Sequence, residues 1–338
     1  MEARIALVGC GNVGTALLEL LKRKEEYLKS RCGFEYKVVL VSDLMKGTLM
    51  DPEGIDIEKV LTENSKRRSF SALGEVAGTL GELMEAARVN VLAECTPTNL
   101  NDGEPGLSHI RDALSRGISV TTTNKGPLAV AFDDLVALAK RNGAEFLYEG
   151  VVMSGTPLID MIKNGIVGCS VLGFEGILNG TTNFMLGKMA NGESYAEALA
   201  DAQSLGYAET DPTGDVDGWD AAVKVAILGK IIYGKTINVN DIARTGIREL
   251  MPKQMDRAKE HGCVVKLVAG INFDSAKMNA YVMPREVPCE DPLANVGGAA
   301  NAITVKTDNL GDITLTGPGA GRRETAQALL SDIIRIMG

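Results

Sequence analysis

Histidine is nearly absent from this chain: His109 and His261 are the only two in 338 residues, and no paired ligand spacing surrounds them. A zinc centre built on His and Cys clusters is therefore not expected. The cysteines Cys10, Cys32, Cys95, Cys169, Cys263 and Cys289 are scattered without a C-x-x-C pair, which fits reduced thiols in the cytosol better than a disulfide framework. No apolar run reaches the roughly 18 residues that a membrane span requires. The first strand is expected within three residues of Met1, which leaves no room for a secretory leader. Positive charge is in deficit as well. With 35 Lys+Arg against 44 Asp+Glu the net charge is −9, which argues against nucleic acid as a partner. Neither an internal repeat nor a low-complexity linker interrupts the chain. What remains is a cytoplasmic protein whose 338 residues and 45% hydrophobic share supply cores for two domains.

What is present starts at the N-terminus. The aliphatic run Arg4-Ile5-Ala6-Leu7-Val8 flows into Gly9-Cys10-Gly11-Asn12-Val13-Gly14, and an amphipathic helix over about 13–29 follows. A bare G-x-G-x-x-G is weak, but one that leaves a strand and opens a helix has the context of a dinucleotide fold. Its glycines let the backbone approach a pyrophosphate, whose charge is favoured at the helix N-terminus. A plain glycine-rich turn is the alternative. A second strand over 36–42 ends at Asp43, which can accept hydrogen bonds from the adenosine ribose and repel a 2′-phosphate, so NAD is preferred over NADP. Asp43 lies further on than the usual spacing of about 20 residues. Two alternatives stay open: Asp43 only turns the chain, or Lys46 serves a phosphate instead.

Strands then alternate with helical runs to about residue 150. Strands over 90–95 and 119–123 end in polar residues, so Thr96 and the turn Asn124-Lys125-Gly126-Pro127 are expected to face the ribose or nicotinamide, at the carboxyl ends of a doubly wound sheet. Lys125 can equally be a solvated loop lysine. Beyond 150 the pattern changes to helices over 157–164, 182–190, 195–204, 219–233 and 251–260, with extended stretches near 170–178, 264–272, 278–283 and 301–307. The fold class read from this is α/β: a Rossmann-type dinucleotide-binding domain over 1–150 and an α+β catalytic and dimerisation domain on an open mixed sheet over 151–308. A C-terminal segment over 309–338 returns to the first domain. There, a strand over 312–316 leads to Gly317-Pro318-Gly319-Ala320-Gly321, read as opening a helix that runs to about 337. Gly319 and Gly321 would then offer a second helix N-terminus to the cofactor, unless the segment is only a capped loop.

The densest chemistry lies in the segment 206–224, which carries Glu209, Asp211, Asp215, Asp217 and Asp220 into a helix that is apolar almost all round. Asp220 and Lys224 sit i,i+4 on one face, a stripe continued by Leu228 and Ile231, while Lys230 points elsewhere. Most such pairs are exposed salt bridges of little consequence. A lysine on an apolar face is instead desolvated, which favours its neutral form and suits it to proton transfer.

These motifs carry a resemblance. The Gly9 to Gly14 fingerprint, Thr123-Asn124-Lys125-Gly126-Pro127, Ile177-Leu178-Asn179-Gly180-Thr181-Thr182-Asn183, the segment 206–224 and Gly317 to Gly321 together resemble the homoserine dehydrogenase family over essentially the whole chain. The resemblance implies interconversion of L-homoserine and L-aspartate 4-semialdehyde with NAD or NADP, on the route to threonine, methionine and isoleucine. It implies that Glu209 binds the substrate ammonium and Asp220 holds substrate and orients Lys224, the proton donor. Asp215 would support the polar network, and Lys125 would touch both cofactor and reacting oxygen. It also implies a monovalent cation at Glu149, Val152, Ser154 and Thr156, the last three mainly through carbonyls, although relatives are often richer in glycine there. A homodimer through the sheet of the second domain is a further implication. Some members add a C-terminal amino-acid-sensing domain; this chain stops at the helix after Gly321, so feedback by threonine is not expected. A dehydrogenase for another amino-acid or carbonyl substrate, and an idle NAD-binding sensor, are the competing readings.

Overall fold

The computed structural model describes residues 2–66, 69–275 and 277–338, which form two units: Met1–Gly155 with Gly321–Gly338, and Thr156–Ala320. In the first unit the elements run β1 (Ala3–Val8), α1 (Asn12–Cys32), β2 (Tyr36–Asp43), β3 (Gly47–Met50), α2 (Ile57–Ser65), α3 (Leu80–Ala86), β4 (Val91–Glu94), α4 (Gly106–Ser115), β5 (Ser119–Thr122), α5 (Lys125–Arg141) and β6 (Phe146–Leu147). The sheet order is β3-β2-β1-β4-β5-β6, parallel except for the β2–β3 hairpin. β1 and β4 are buried along nearly their whole length, as strands covered on both faces must be. α1 ends where Gly33, at φ +61°, donates its N–H to the Leu28 carbonyl, a left-handed cap that only glycine adopts without strain.

In the second unit α6 (Leu158–Asp160) opens into a wider turn over Met161–Gly165, where the sequence reads one continuous helix. There follow β7 (Val171–Ile177), α7 (Gly180–Ala190), α8 (Tyr195–Ser204), α9 (Thr213–Val216), α10 (Trp219–Tyr233), β8 (Ala243–Arg244), α11 (Pro252–Glu260), β9 (Cys263–Asp274), β10 (Lys277–Pro288), β11 (Ala300–Thr307) and β12 (Gly311–Pro318). Its sheet, ordered β12-β11-β7-β9-β10-β8, is mixed: β8 joins β10 in parallel and the other pairs are antiparallel. α10 buries residues on every side, from Ala221 to Gly229, which makes it a core helix.

The tail departs from its sequence reading. β12 pairs with β11 along its whole length, with Asn301 opposite Gly317 and Ala300 opposite Pro318, so those two residues end a strand instead of opening a helix. The segment 309–338 is thereby divided. β12 stays in the second unit, and only α12 (Arg322–Met337) belongs to the first, where Ala326, Leu329, Leu330 and Ile333 share a core with Leu17 and Leu21 of α1.

Candidate active site

In the first unit the glycine loop joins β1 to α1. Gly9 takes φ +94°, and a Cβ there would lie 2.6 Å from the Cys95 carbonyl oxygen; a Cβ on Gly14 would lie 2.1 Å from the Gly9 oxygen. Both glycines are therefore demanded by packing. Gly11 differs, because a Cβ there meets nothing within 4 Å. It is the N-cap of a 21-residue helix and supplies no side-chain cap, so the N–H groups around Asn12, Val13 and Gly14 are offered to an outside acceptor. A dinucleotide pyrophosphate fits that space and charge. The contrast is measurable. Gly14→Ala should cost on the order of 1–3 kcal/mol of stability, seen as a lowered Tm, whereas Gly11→Ala should melt like the parent and bind NAD more weakly.

Asp43 closes the other side of the loop. Its Oδ2 accepts the Cys10 N–H at 2.9 Å and its Oδ1 accepts the Met45 N–H at 3.0 Å, which holds the carboxylate beside the loop. At the ends of β4 and β5, the fully buried Glu94 accepts the Thr96 N–H at 2.9 Å and the Thr122 hydroxyl at 2.8 Å. Asn124, the N-cap of α5, accepts the Gly126 N–H at 3.0 Å and donates to the Thr96 and Pro97 carbonyls at 3.3 Å. Thr96 and the turn that starts Lys125 are thus tied together, with Lys125 half-buried as the first residue of α5. The sequence does not single out Glu94: a strand-terminal acid before Cys95-Thr96-Pro97 offers only a faint signal.

In the second unit the segment around Asp220 condenses. Gly218, at φ +81°, caps α10, and Asp220 sits in its first turn, where the helix dipole favours a carboxylate. Lys224 is buried at 7% exposure; its Nζ donates to Asp220 Oδ2 and to the Leu178 carbonyl, each at 2.7 Å. Asn179 joins the acids: its Nδ2 donates to Asp215 Oδ1 at 2.7 Å and to Asp220 Oδ2 at 3.0 Å, while its Oδ1 caps α7 through the Thr182 N–H. Burial pushes the Asp215 carboxyl above its ordinary range; nearby Asp220 adds to this, and the Asn179 amide, Lys224 and Thr181 oppose it. Glu209 stands apart. It is exposed, its backbone carbonyl accepts from Gln203 at 3.0 Å, and no hydrogen bond among the described residues joins its carboxylate to the other acids.

The raised Asp215 pKa has a thermodynamic consequence. A carboxyl whose folded pKa lies above its unfolded value near 3.9 stabilises the fold fully below that value and loses this contribution as pH rises through the folded pKa. Asp215→Asn should therefore gain thermal stability relative to the parent at neutral pH, and the gap should close on acidification. A gap independent of pH would contradict the burial argument.

The remaining candidates lie as follows. Glu149 and Val152 are buried in the first unit; the Glu149 N–H donates to Asp332 at 3.1 Å, and the Ser154 hydroxyl lies 2.8 Å from that of Thr325. Met153 and Ser154 both hold positive φ, +60° and +55°, where glycine is otherwise favoured. Thr156, in the second unit, donates to the Pro318 carbonyl at 3.4 Å. Among the described residues no cluster of three or more His, Cys, Asp or Glu forms a metal site. Gly319 closely abuts Asn301, whose buried amide has no hydrogen-bond partner among the described residues. Gly321 is the N-cap of α12, and the Glu324 carboxylate folds back over it.

A sheet that is parallel but for one hairpin, with an uncapped glycine turn, joined in one chain to a unit holding a buried lysine–carboxylate pair, is the architecture of a dinucleotide-dependent oxidoreductase. Family models identify it further: residues 157–334 match the one described as homoserine dehydrogenase, and residues 9–149 match homoserine dehydrogenase, NAD binding domain. A NAD(+)-dependent homoserine dehydrogenase of Pseudomonas canavaninivorans is 42% identical, covering 99% of this chain and 96% of that one. The homoserine dehydrogenase of Methanocaldococcus jannaschii is 35% identical over 98% of both. A hyperthermophilic archaeal homoserine dehydrogenase solved with NADPH superposes with a TM-score of 0.83 at 32% identity, covering 100% of this chain and 98% of that one. The chain belongs to the homoserine dehydrogenase family and is an oxidoreductase acting on a small molecule with a dinucleotide cofactor.

Proposed function

We propose that the protein interconverts L-aspartate 4-semialdehyde and L-homoserine with NAD as its preferred cofactor and NADP as the lesser one. The dinucleotide supplies or takes the hydride. Lys224 gives a proton to the oxygen that becomes the hydroxyl and, as a cation, stabilises the developing alkoxide. Asp220 and the Leu178 carbonyl aim its Nζ; this pairing is the observation that carries the reading. Asp215 and Asn179 hold Asp220 in place, Lys125 contacts cofactor and reacting oxygen, and Glu209 takes the substrate ammonium. The exposure of Glu209 suits a group that meets its partner only when substrate arrives. Glu209→Ala should then chiefly raise KM for homoserine with little change in kcat; an unchanged KM would remove that role. Glu149, Val152, Ser154 and Thr156 are proposed to hold a monovalent cation. The protein is read as a cytoplasmic homodimer through the second sheet, whose outer strand β12 leaves an edge to be covered. Light scattering that found only a 35.8 kDa monomer at micromolar concentration would exclude the dimer. A panel of amino-acid and carbonyl substrates with both cofactors, followed by absorbance of the reduced nicotinamide, tests the whole. Turnover of another substrate far above homoserine, or none at all, would overturn it.

A further inference from the structure

Lys46 is the sequence's other candidate for a 2′-phosphate, yet its donors are turned inward onto the glycine loop and α2. It follows Asp43 in the tight β2–β3 turn, with its N–H on the Asp43 carbonyl at 3.2 Å. Its Nζ donates to the Cys10 carbonyl at 2.6 Å and to Asn64 Oδ1. Asn64, in α2, donates through Nδ2 to the Thr15 hydroxyl at 2.6 Å, and Thr15 donates back to the Cys10 carbonyl at 3.4 Å. These four residues close a ring around one peptide group of the glycine loop. The same residue, Cys10, is held through its N–H by Asp43 at 2.9 Å. The glycine loop is gripped by an acid on one side and a cation on the other, and α2 supplies the anchor for the cation.

We propose that Asn64 is a positioning residue that latches Lys46 onto the glycine loop, denies its ammonium to a 2′-phosphate, and so helps select the unphosphorylated dinucleotide. The proposal rests on the reading that the adenosine ribose lies at Asp43. A lysine is a compact charge on a flexible stem, and with one of its two acceptors removed it can swing toward a phosphate. The Asp43 carboxylate repels that phosphate by its charge; the latch adds a second, separable barrier by withholding the attraction.

The test uses equilibrium calorimetry with two nicotinamide-free probes that differ only in the 2′-phosphate, adenosine 5′-monophosphate and adenosine 2′,5′-bisphosphate. The parent should bind the monophosphate more tightly. Asn64→Leu should improve the affinity for the bisphosphate about tenfold, the size of one added hydrogen bond to a charged group, with the monophosphate little changed. Combining Asn64→Leu with Lys46→Met should abolish the gain, which a merely structural effect of Asn64 on α2 would not predict. If Asn64→Leu does not fold, Asn64→Ala removes the same acceptor with less bulk. Equal discrimination in the parent and the Asn64 variant, or a gain that survives loss of Lys46, overturns the latch. Asp43→Ala separates the premise: if it shifts discrimination while the Asn64 variant does not, only the latch fails, and if it shifts nothing, the ribose is not at Asp43 and both fail.

Discussion

Lys224→Arg should lower kcat by about two to three orders of magnitude while leaving NAD affinity essentially unchanged. Arginine retains the positive charge and can still pair with Asp220, but it does not give up a proton in the working range. The arginine variant therefore separates proton donation from ion pairing. Lys224→Ala should be at least as slow, but it also takes the cation from a carboxylate whose side chain is only 23% exposed and keeps the Asn179 amide, so part of its loss would be structural. Asp220→Asn should resemble the arginine variant, since the amide still occupies the space but holds the ammonium less firmly. Steady-state kinetics beside thermal melts decide the matter. A folded Lys224→Arg enzyme that keeps most of its turnover would end the proposal that Lys224 is the acid. An exposed i,i+4 pair, by comparison, is worth under about 1 kcal/mol and would leave turnover intact.

The second large effect is expected at Asp43. Asp43→Ala should reduce kcat/KM for NAD by about tenfold, the scale of one charge-assisted hydrogen bond, because an adenosine ribose bound there would lose an acceptor and the Cys10 and Met45 N–H groups lose theirs. NADP should gain, because the repulsion of its 2′-phosphate disappears. The ratio of the two kcat/KM values, measured at fixed ionic strength because phosphate contacts are screened by salt, is the quantity to follow. A parent enzyme that strongly prefers NADP, with a ratio untouched by the substitution, would remove Asp43 as the selector.

Several features are legible in the sequence. The alternation of strands with amphipathic helices marked β1, β2, β4 and β5 within a residue or two: β1 and β2 are written as aliphatic runs, as parallel strands covered on both faces are, and the shorter β4 and β5 carry β-branched and aliphatic residues that end in polar ones. α10 matched its expected span, 219–233, since Gly218 and Gly234 bracket it with left-handed caps. β3, α9 and β8 escaped because two to four residues carry too little periodicity to register; α2 and α3, of nine and seven residues, escaped as well although Asp56 and Thr79 cap them. Among them α2 turned out to anchor Lys46.

The tail shows the same limit. Gly317-Pro318-Gly319-Ala320-Gly321 reads as one glycine-rich helix start, but its first residues are claimed by β11, a partner that the local sequence cannot reveal.

By itself the sequence determined the fold class, the family and the residue types of the Asp220–Lys224 pair and the glycine turn, because all of these depend on local residue types at fixed spacing. The tertiary structure alone decided which groups lie together. It buried Lys224 against the carbonyl of Leu178, 46 residues earlier, and it made Asn179 both a helix cap and the bridge between Asp215 and Asp220. It also turned Lys46 inward onto Cys10 and Asn64. Such pairings between distant positions have no local period to announce them: they exist because desolvated polar groups must find partners wherever the packed chain brings them.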